Sequence, residues 1–202
     1  MPQNFAQAAI WYERAARAGL APAQFRLGAL YEKGNGVPKN LAEARRLYLA
    51  AAEKGNANAM HNIGVLYAEG IDGKPDFKAA AQWFRKSATL GVADSQYNLA
   101  VLYARGIGIE RNLAEAFEWF SLAAKSGDAD AAKKRDDIAG RLDPATLAAV
   151  RRQIDGWVAD VQPAEATTVR APPGGWDQAE AAPPTKRKPR PRAHTGSPTA
   201  PI

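Results

Sequence analysis

The chain is poor in the residues that carry most protein chemistry. Its 202 residues include no cysteine and only two histidines, His61 and His194. Disulfide bonds, thiolate nucleophiles and cysteine-ligated zinc are therefore excluded. The histidines lie far apart in the sequence, and no H-E-x-x-H, P-loop or G-x-S-x-G motif occurs. We predict no catalytic residue, no metal site and no cofactor, and we interpret His61 as a partly exposed residue of a helix.

Long apolar runs are also missing. No stretch approaches the roughly 20 apolar residues that cross a bilayer, and no charged-then-apolar signal segment follows Met1. As written, the chain is expected in the cytoplasm. If it is the C-terminal part of an exported precursor, it is expected in the periplasm.

What the chain has instead is a repeat of 36 residues. A column of glycines and a column of aromatic residues recur together at this interval: Gly19, Gly55, Gly91 and Gly127, and Tyr12, Tyr48, Phe84 and Phe120. A fixed period of this length is typical of stacked supersecondary units. In the fourth copy Asp136 stands where Gly28, Gly64 and Ala100 stood, so we expect the array to end there.

Each unit is predicted to be a helix, a tight turn and a second helix. Apolar residues in 41–54 follow helical spacing, with one buried stripe. Asn40, Asp76 and Asn112 are predicted N-caps. Glu43 and Glu115, three residues after two of these caps, resemble the reciprocal half of a capping box. The fold class is therefore all-α, an α/α solenoid of about four repeats over residues 1–142.

The aromatic columns have two interpretations. Aromatic residues at helical spacing usually belong to a core, and we favour that interpretation here. A ligand platform built from the same rings is the alternative.

The C-terminal part divides into a helix and a tail. Asp143 followed by Pro144 is a helix start signal, and apolar spacing continues to Val158. We predict a capping helix at about 144–160, within a segment 143–162, whose apolar side covers the open end of the last unit. Residues 163–202 contain nine of the 14 prolines, and we predict a disordered tail there.

The tail also carries a dense basic run, formed by Lys186, Arg187, Lys188, Arg190 and Arg192. Such a run can bind nucleic acid, anionic lipid or anionic cell-wall polymer by charge alone. A solvated tail without a ligand is the simpler interpretation.

The repeat pattern resembles a known family. The pattern is similar to the Sel1-like repeat, an α/α solenoid related to tetratricopeptide repeats. The first part of the motif is seen in Ala80, Trp83, Phe84, Ala88 and Gly91, and the second part in Gly64, Leu66, Tyr67 and Gly70. The resemblance implies a right-handed superhelix that serves as a protein-interaction or assembly scaffold and not as an enzyme.

A narrower resemblance begins in the fourth unit. Together with the repeats, three segments are similar to the C-terminal region of alphaproteobacterial polar organelle development (PodJ-type) localisation factors. They are the run 127–137, Arg141-Leu142 and Gly174-Gly175-Trp176-Asp177. This resemblance implies a periplasmic domain behind a coiled coil and a membrane span, neither of which this chain contains.

We hypothesise a non-catalytic protein-protein interaction scaffold, such as an assembly or polar-localisation adaptor. Its partner contacts are predicted on first-helix positions that vary between units: Glu43, Arg46, Gln82, Arg85, Phe117, Glu118 and Ser121. The alternatives are a cell-wall or polyanion adaptor that uses the basic tail, and a regulator of a cell-envelope enzyme in trans.

The N-terminal face of the array is predicted to be uncapped. Phe5, Ala8 and Trp11 already occupy internal-repeat columns, and only four residues precede them. Either further repeats preceded this segment in a longer precursor or another chain covers the face. Both alternatives predict that the isolated chain self-associates.

Overall fold

The computed structural model describes residues 4–71 and 73–169, and all regular secondary structure in this part of the chain is helical. The helices are α1 (Phe5–Arg17), α2 (Ala21–Lys33), α3 (Leu41–Ala52), α4 (Ala57–Glu69), α5 (Phe77–Thr89), α6 (Ala93–Arg105), α7 (Leu113–Lys125), α8 (Ala129–Ala139), α9 (Pro144–Asp155) and α10 (Ala164–Thr167).

The first eight helices form four helix-turn-helix units. The first helices begin at residues 5, 41, 77 and 113, and the second helices begin at 21, 57, 93 and 129. Every start therefore advances by 36 residues, which confirms the predicted period and the α/α solenoid. Each of α3, α5 and α7 packs most extensively against the second helix of the preceding unit.

The predicted helix starts are correct, but the capping boxes are not. The side chains of Asn40, Asp76 and Asn112 accept backbone amides of α3, α5 and α7. The backbone amide of Asn40 donates to the carbonyl of Tyr31 at 2.8 Å and not to Glu43, which pairs with Arg46. Because the Asn40 amide already donates to the preceding helix, the Glu43 carboxylate can accept from Arg46 instead.

The aromatic column forms the core between units. Tyr48, Phe84 and Phe120 are buried. A Cβ at Gly28 would lie 2.7 Å from the Tyr48 ring, and a Cβ at Gly64 would lie 2.7 Å from the Phe84 ring. These rings occupy the space that a side chain would take, which supports the core interpretation over the ligand platform.

The predicted C-terminal helix is present, although it is shorter than expected. The Asp143 carboxylate caps α9 by accepting the amides of Ala145 and Thr146, and the helix ends at Asp155 with Gly156 as its C-cap. Val150 and Ile154 are buried. The helix lies against α7, the first helix of the last unit.

The chain then turns back along the array. Residues 157–169, which we call the strap, contact the turns of the third and second units, and α10 packs against α2. The tail was predicted to begin at 163, yet Ala164–Thr167 is helical and Ala166 is fully buried. Contacts with the array, which the composition of the tail does not reveal, order these residues. Residues 170–202, with the predicted basic run, lie outside the described residues.

We predict that Gly64→Ala destabilises the array, because its Cβ would overlap the Phe84 ring. The expected loss is about 1–3 kcal/mol of unfolding free energy, measured by urea denaturation at unchanged m-value. Gly140→Ala is the control, since a Cβ there meets only the Asp137 carbonyl, at 3.7 Å. Equal stability of the two variants would contradict the predicted overlap.

Candidate protein-binding surface

The predicted contact residues fall into an exposed set and a covered set. Arg46, Gln82 and Arg85 are exposed, and Glu43 is half-buried beside Arg46. They lie on α3 and α5, on the side of these helices that the core does not use. We call Glu43, Arg46, Gln82 and Arg85 the first-helix face.

Charged groups on the first-helix face are held in place by neighbours. Arg46 donates from Nε and Nη2 to the two carboxylate oxygens of Glu43, at 2.9 and 2.5 Å. The hydrogen-bonded guanidinium lowers the pKa of Glu43, and the carboxylate raises the pKa of Arg46. The guanidinium of Arg85 lies 5.4 Å from the centre of the Tyr103 ring. Both cations are therefore oriented in advance while staying accessible to solvent.

The fourth unit presents a different surface, because α9 covers it. Glu118 is the repeat equivalent of exposed Arg46 and Gln82, yet only 7% of it is accessible. Gln153 of α9 donates to its carboxylate at 3.2 Å. Burial raises the pKa of Glu118, and the nearby Glu115 carboxylate adds to the shift. Phe117 and Ser121 are buried in the same region. These three predicted contact residues are therefore covered by α9 of the same chain.

A sequence signal for this covering does exist. Leu122 is buried, whereas its equivalents in the other units are Arg14, Ala50 and Lys86. Phe117 likewise replaces Ala9, Arg45 and Ala81. Two larger apolar residues on one helix indicate an additional packing partner.

A cleft of about 310 Å³ remains between α7, α8 and α9. Its lining mixes apolar with charged side chains: Phe117, Ser121, Lys125, Arg135, Asp136, Ala139, Arg151, Ile154 and Asp155. Lys125 donates from Nζ to the Ile154 carbonyl at 2.9 Å and so joins α7 to the end of α9. Within the described ranges, no group of three acidic or histidine side chains is placed to hold a metal ion.

His61 is part of the packing between the second and third units. Its Nδ1 lies 2.8 Å from the hydroxyl of Ser95, and its ring centre lies 5.7 Å from that of Phe84. Burial lowers the pKa of His61, against opposing effects of Asp94 and Glu32. The surroundings of this imidazole therefore favour its neutral form.

The repeat geometry has a counterpart among known families. The sequence profile of the Sel1 repeat matches residues 1–20, 21–56, 57–92 and 93–128. The chain belongs to the Sel1 repeat family. Each full-length match joins the second helix of one structural unit to the first helix of the next. The matches end at 128, so α8, with Asp136 in the glycine column, lies beyond them.

Two solved structures share this Sel1 fold. A protective antigen of uropathogenic Escherichia coli strains, described as displaying an SLR fold, is 32% identical with a TM-score of 0.65, over 75% of this chain and 34% of the antigen chain. A Sel1 repeat protein from Oxalobacter formigenes is 29% identical with a TM-score of 0.62, over 74% of this chain and 63% of that one. The Sel1 chain thus spans less than two thirds of either protein. No curated protein matches it.

In the part of this Sel1 chain that the structure describes, none of the helices combines the length and the apolar character that crossing a bilayer requires.

We predict that the stability of this Sel1 array falls as pH drops below about 6.5, the ordinary pKa of histidine. Because the pKa of His61 is lowered in the folded state, the unfolded chain binds its proton more readily. The stabilisation is complete above the unfolded pKa and is lost as pH falls towards the folded one, with a slope of at most about 1.4 kcal/mol per pH unit.

The measurement is urea denaturation between pH 8 and pH 5, with His61→Gln as the comparison. Glutamine cannot titrate and can still hydrogen-bond Ser95. The difference in unfolding free energy between wild type and variant should narrow or reverse towards pH 5. A difference that does not depend on pH would refute the assignment to His61.

Proposed function

We propose that this Sel1 chain is a non-catalytic scaffold that binds a protein partner on the first-helix face. The observation that carries the proposal is the exposure of Arg46, Gln82 and Arg85 on successive first helices, on a framework held together by the buried rings of Tyr48, Phe84 and Phe120. Positions that differ between units while staying accessible are those that can distinguish one partner from another.

The cationic members of this face suggest a partner with carboxylate groups. Arg85 is exposed and oriented over Tyr103, so little side-chain entropy is lost when it binds an acidic group. Arg46 already shares its charge with Glu43, and an acidic partner competes with that pair.

More specific roles follow from the resemblance to polar localisation factors. An assembly or polar-localisation adaptor in the periplasm of an alphaproteobacterium is the role which that resemblance supports. Regulation of a cell-envelope enzyme in trans is a second role that a scaffold of this kind can fill. A cell-wall or polyanion adaptor is the alternative that the basic run Lys186, Arg187, Lys188, Arg190 and Arg192 favours.

We predict that Arg85→Glu weakens binding to the protein partner at least tenfold, about 1.4 kcal/mol, because it reverses the charge of one of the two arginines of the face. The partner is first captured with a photo-crosslinking residue at Gln82, with exposed Asn58 of α4 as the control site. Affinity is then measured by calorimetry on purified proteins.

Arg26→Glu is the matched control, since Arg26 is exposed on α2 and also lies over an aromatic ring, that of Phe25 at 5.7 Å. Deleting residues 183–202 tests the alternative. Binding that survives Arg85→Glu but is lost with the deletion, and that weakens steeply with salt, supports the polyanion adaptor instead.

Self-association belongs to the same proposal. Trp11 is 46% exposed, whereas its equivalent Leu47 is 3% exposed. The preceding second helix that covers α3, α5 and α7 has no counterpart next to α1 among the described residues. A second copy of the chain can cover this face.

We predict a concentration-dependent increase in molar mass for the wild-type chain, which Trp11→Ser reduces by removing apolar area from the contact. Sedimentation equilibrium or light scattering measures it. Val161→Ser is the control, because Val161 is 91% exposed and belongs to the strap, which contacts the turns of the second and third units and α2. A wild-type chain that stays monomeric at high concentration would exclude self-association.

A further inference from the structure

The strap crosses equivalent positions of two successive units. We call the turns between first and second helix in the second and third units, residues 53–57 and 89–93, the turn ridge. The strap passes Thr89 and Gly91 first and then Gly55, Asn56 and Ala57. The equivalent of Gly91 is Gly55, 36 residues earlier, so the strap contacts the same element of the repeat twice.

Three hydrogen bonds fix the strap on the ridge. The amide of Asp160 donates to the Thr89 carbonyl at 2.9 Å. The amide of Ala57 donates to Oε1 of Gln162 at 3.1 Å. The side-chain amide of Asn56 donates to the Ala166 carbonyl at 2.7 Å. Two of these bonds use backbone groups of the strap, which a peptide of any sequence supplies, and the third requires the side chain of Gln162.

Small residues set the shape of the contact. Ala159 and Pro163 occupy the space that side chains at Gly91 and Gly55 would take. A Cβ at Gly91 would lie 3.1 Å from Ala159, and a Cβ at Gly55 would lie 2.7 Å from Pro163. Ala166 is fully buried against the ridge. The contact residues of the strap are thus a small residue at 159, glutamine and proline at 162 and 163, and alanine at 166.

The rest of the strap takes little part in this contact. Val158 and Val161 are largely exposed, and so are Ala164 and Glu165. A segment that buries so little apolar area is held by few interactions and can leave the surface without unfolding the array.

We propose that the turn ridge is a peptide-binding site and that the strap is its intramolecular occupant. A peptide from a partner, with the small-x-x-Gln-Pro-x-x-Ala pattern of residues 159–166, takes the same place when the strap leaves. This site deepens the proposed scaffold function and rests on it, but it uses a different surface from the first-helix face.

A peptide in trans competes with a tethered one. A segment attached through a short connection has an effective concentration in the millimolar range, so the wild-type chain is expected to bind such a peptide weakly. Emptying the ridge in cis is therefore the decisive step of the test.

Ala166→Asp in the full chain empties the ridge, because it places a charge in a fully buried position of the strap and alters no ridge atom. The probe is a fluorescein-labelled peptide with the sequence of residues 156–169, titrated by fluorescence anisotropy. We expect it to bind the variant at least tenfold more tightly than wild type. A peptide carrying the same Ala166→Asp change should bind neither chain.

Asn56→Asp, added to the Ala166→Asp chain, should abolish this binding. Aspartate keeps the cap of α4, which Asn56 makes by accepting the Ala59 amide at 2.9 Å, but it lacks the amide that donates to the peptide. Asn112→Asp is the matched control, since Asn112 caps α7 away from the strap. Equal peptide binding by wild type and Ala166→Asp, or binding that Asn56→Asp leaves unchanged, would overturn the proposal.

Hydrogen exchange at the Ala57 amide reports whether the strap has left. It should be protected in wild type, unprotected in Ala166→Asp and protected again with peptide. If Ala166→Asp lowers the helical signal, the milder Gln162→Ala replaces it. Peptide affinity is then the only readout, because this variant itself removes the acceptor of the Ala57 amide. The first-helix face is unchanged in all these chains. If no peptide binds the ridge but Arg85→Glu still weakens binding of the protein partner, the ridge proposal is rejected and the proposed scaffold function is kept.

Discussion

Neighbouring units pack together through an aromatic ring of one first helix that lies against a glycine of the facing second helix. Tyr48 lies against Gly28 and Phe84 against Gly64, both from the preceding second helix. The close approach of α2 to α3 and of α4 to α5 depends on this pairing, and at the next junction, between α6 and α7, the small Ala100 stands in the glycine column. The exposed first-helix face and the turn ridge keep their 36-residue spacing because this contact fixes how one unit stacks on the next.

The sequence was sufficient for the parts of the fold that follow from periodicity. The helix starts, the caps at Asn40, Asp76 and Asn112, and the burial of the aromatic column were all predicted, because each depends on residues close in sequence or on a pattern that recurs. The capping boxes failed for a tertiary reason. The amide that Glu43 was expected to accept is already bonded to Tyr31 in the preceding helix, a contact that no local pattern reveals.

The solvent accessibility of the proposed contact residues followed from the sequence only where no distant segment approaches. Arg46, Gln82 and Arg85 are exposed as expected, whereas Phe117, Glu118 and Ser121 lie beneath α9. Helical spacing showed that α9 has an apolar stripe, but spacing alone does not say which surface a stripe covers. The strap was missed for a related reason: its contacts use backbone groups and small residues, which have no hydrophobic period.

The direction of the strap changes how the array unfolds. In a solenoid each unit contacts only its neighbours, so units at an end can fray independently of the others. The strap runs against the order of the units, from α9 to the third, the second and then α2, and it joins Asn56 to Ala166 across 110 residues. While the strap is bound, the linear array is closed into a loop, so that fraying at its C-terminal end also loosens the second unit. Melting becomes more cooperative, and the long loop that must close slows folding.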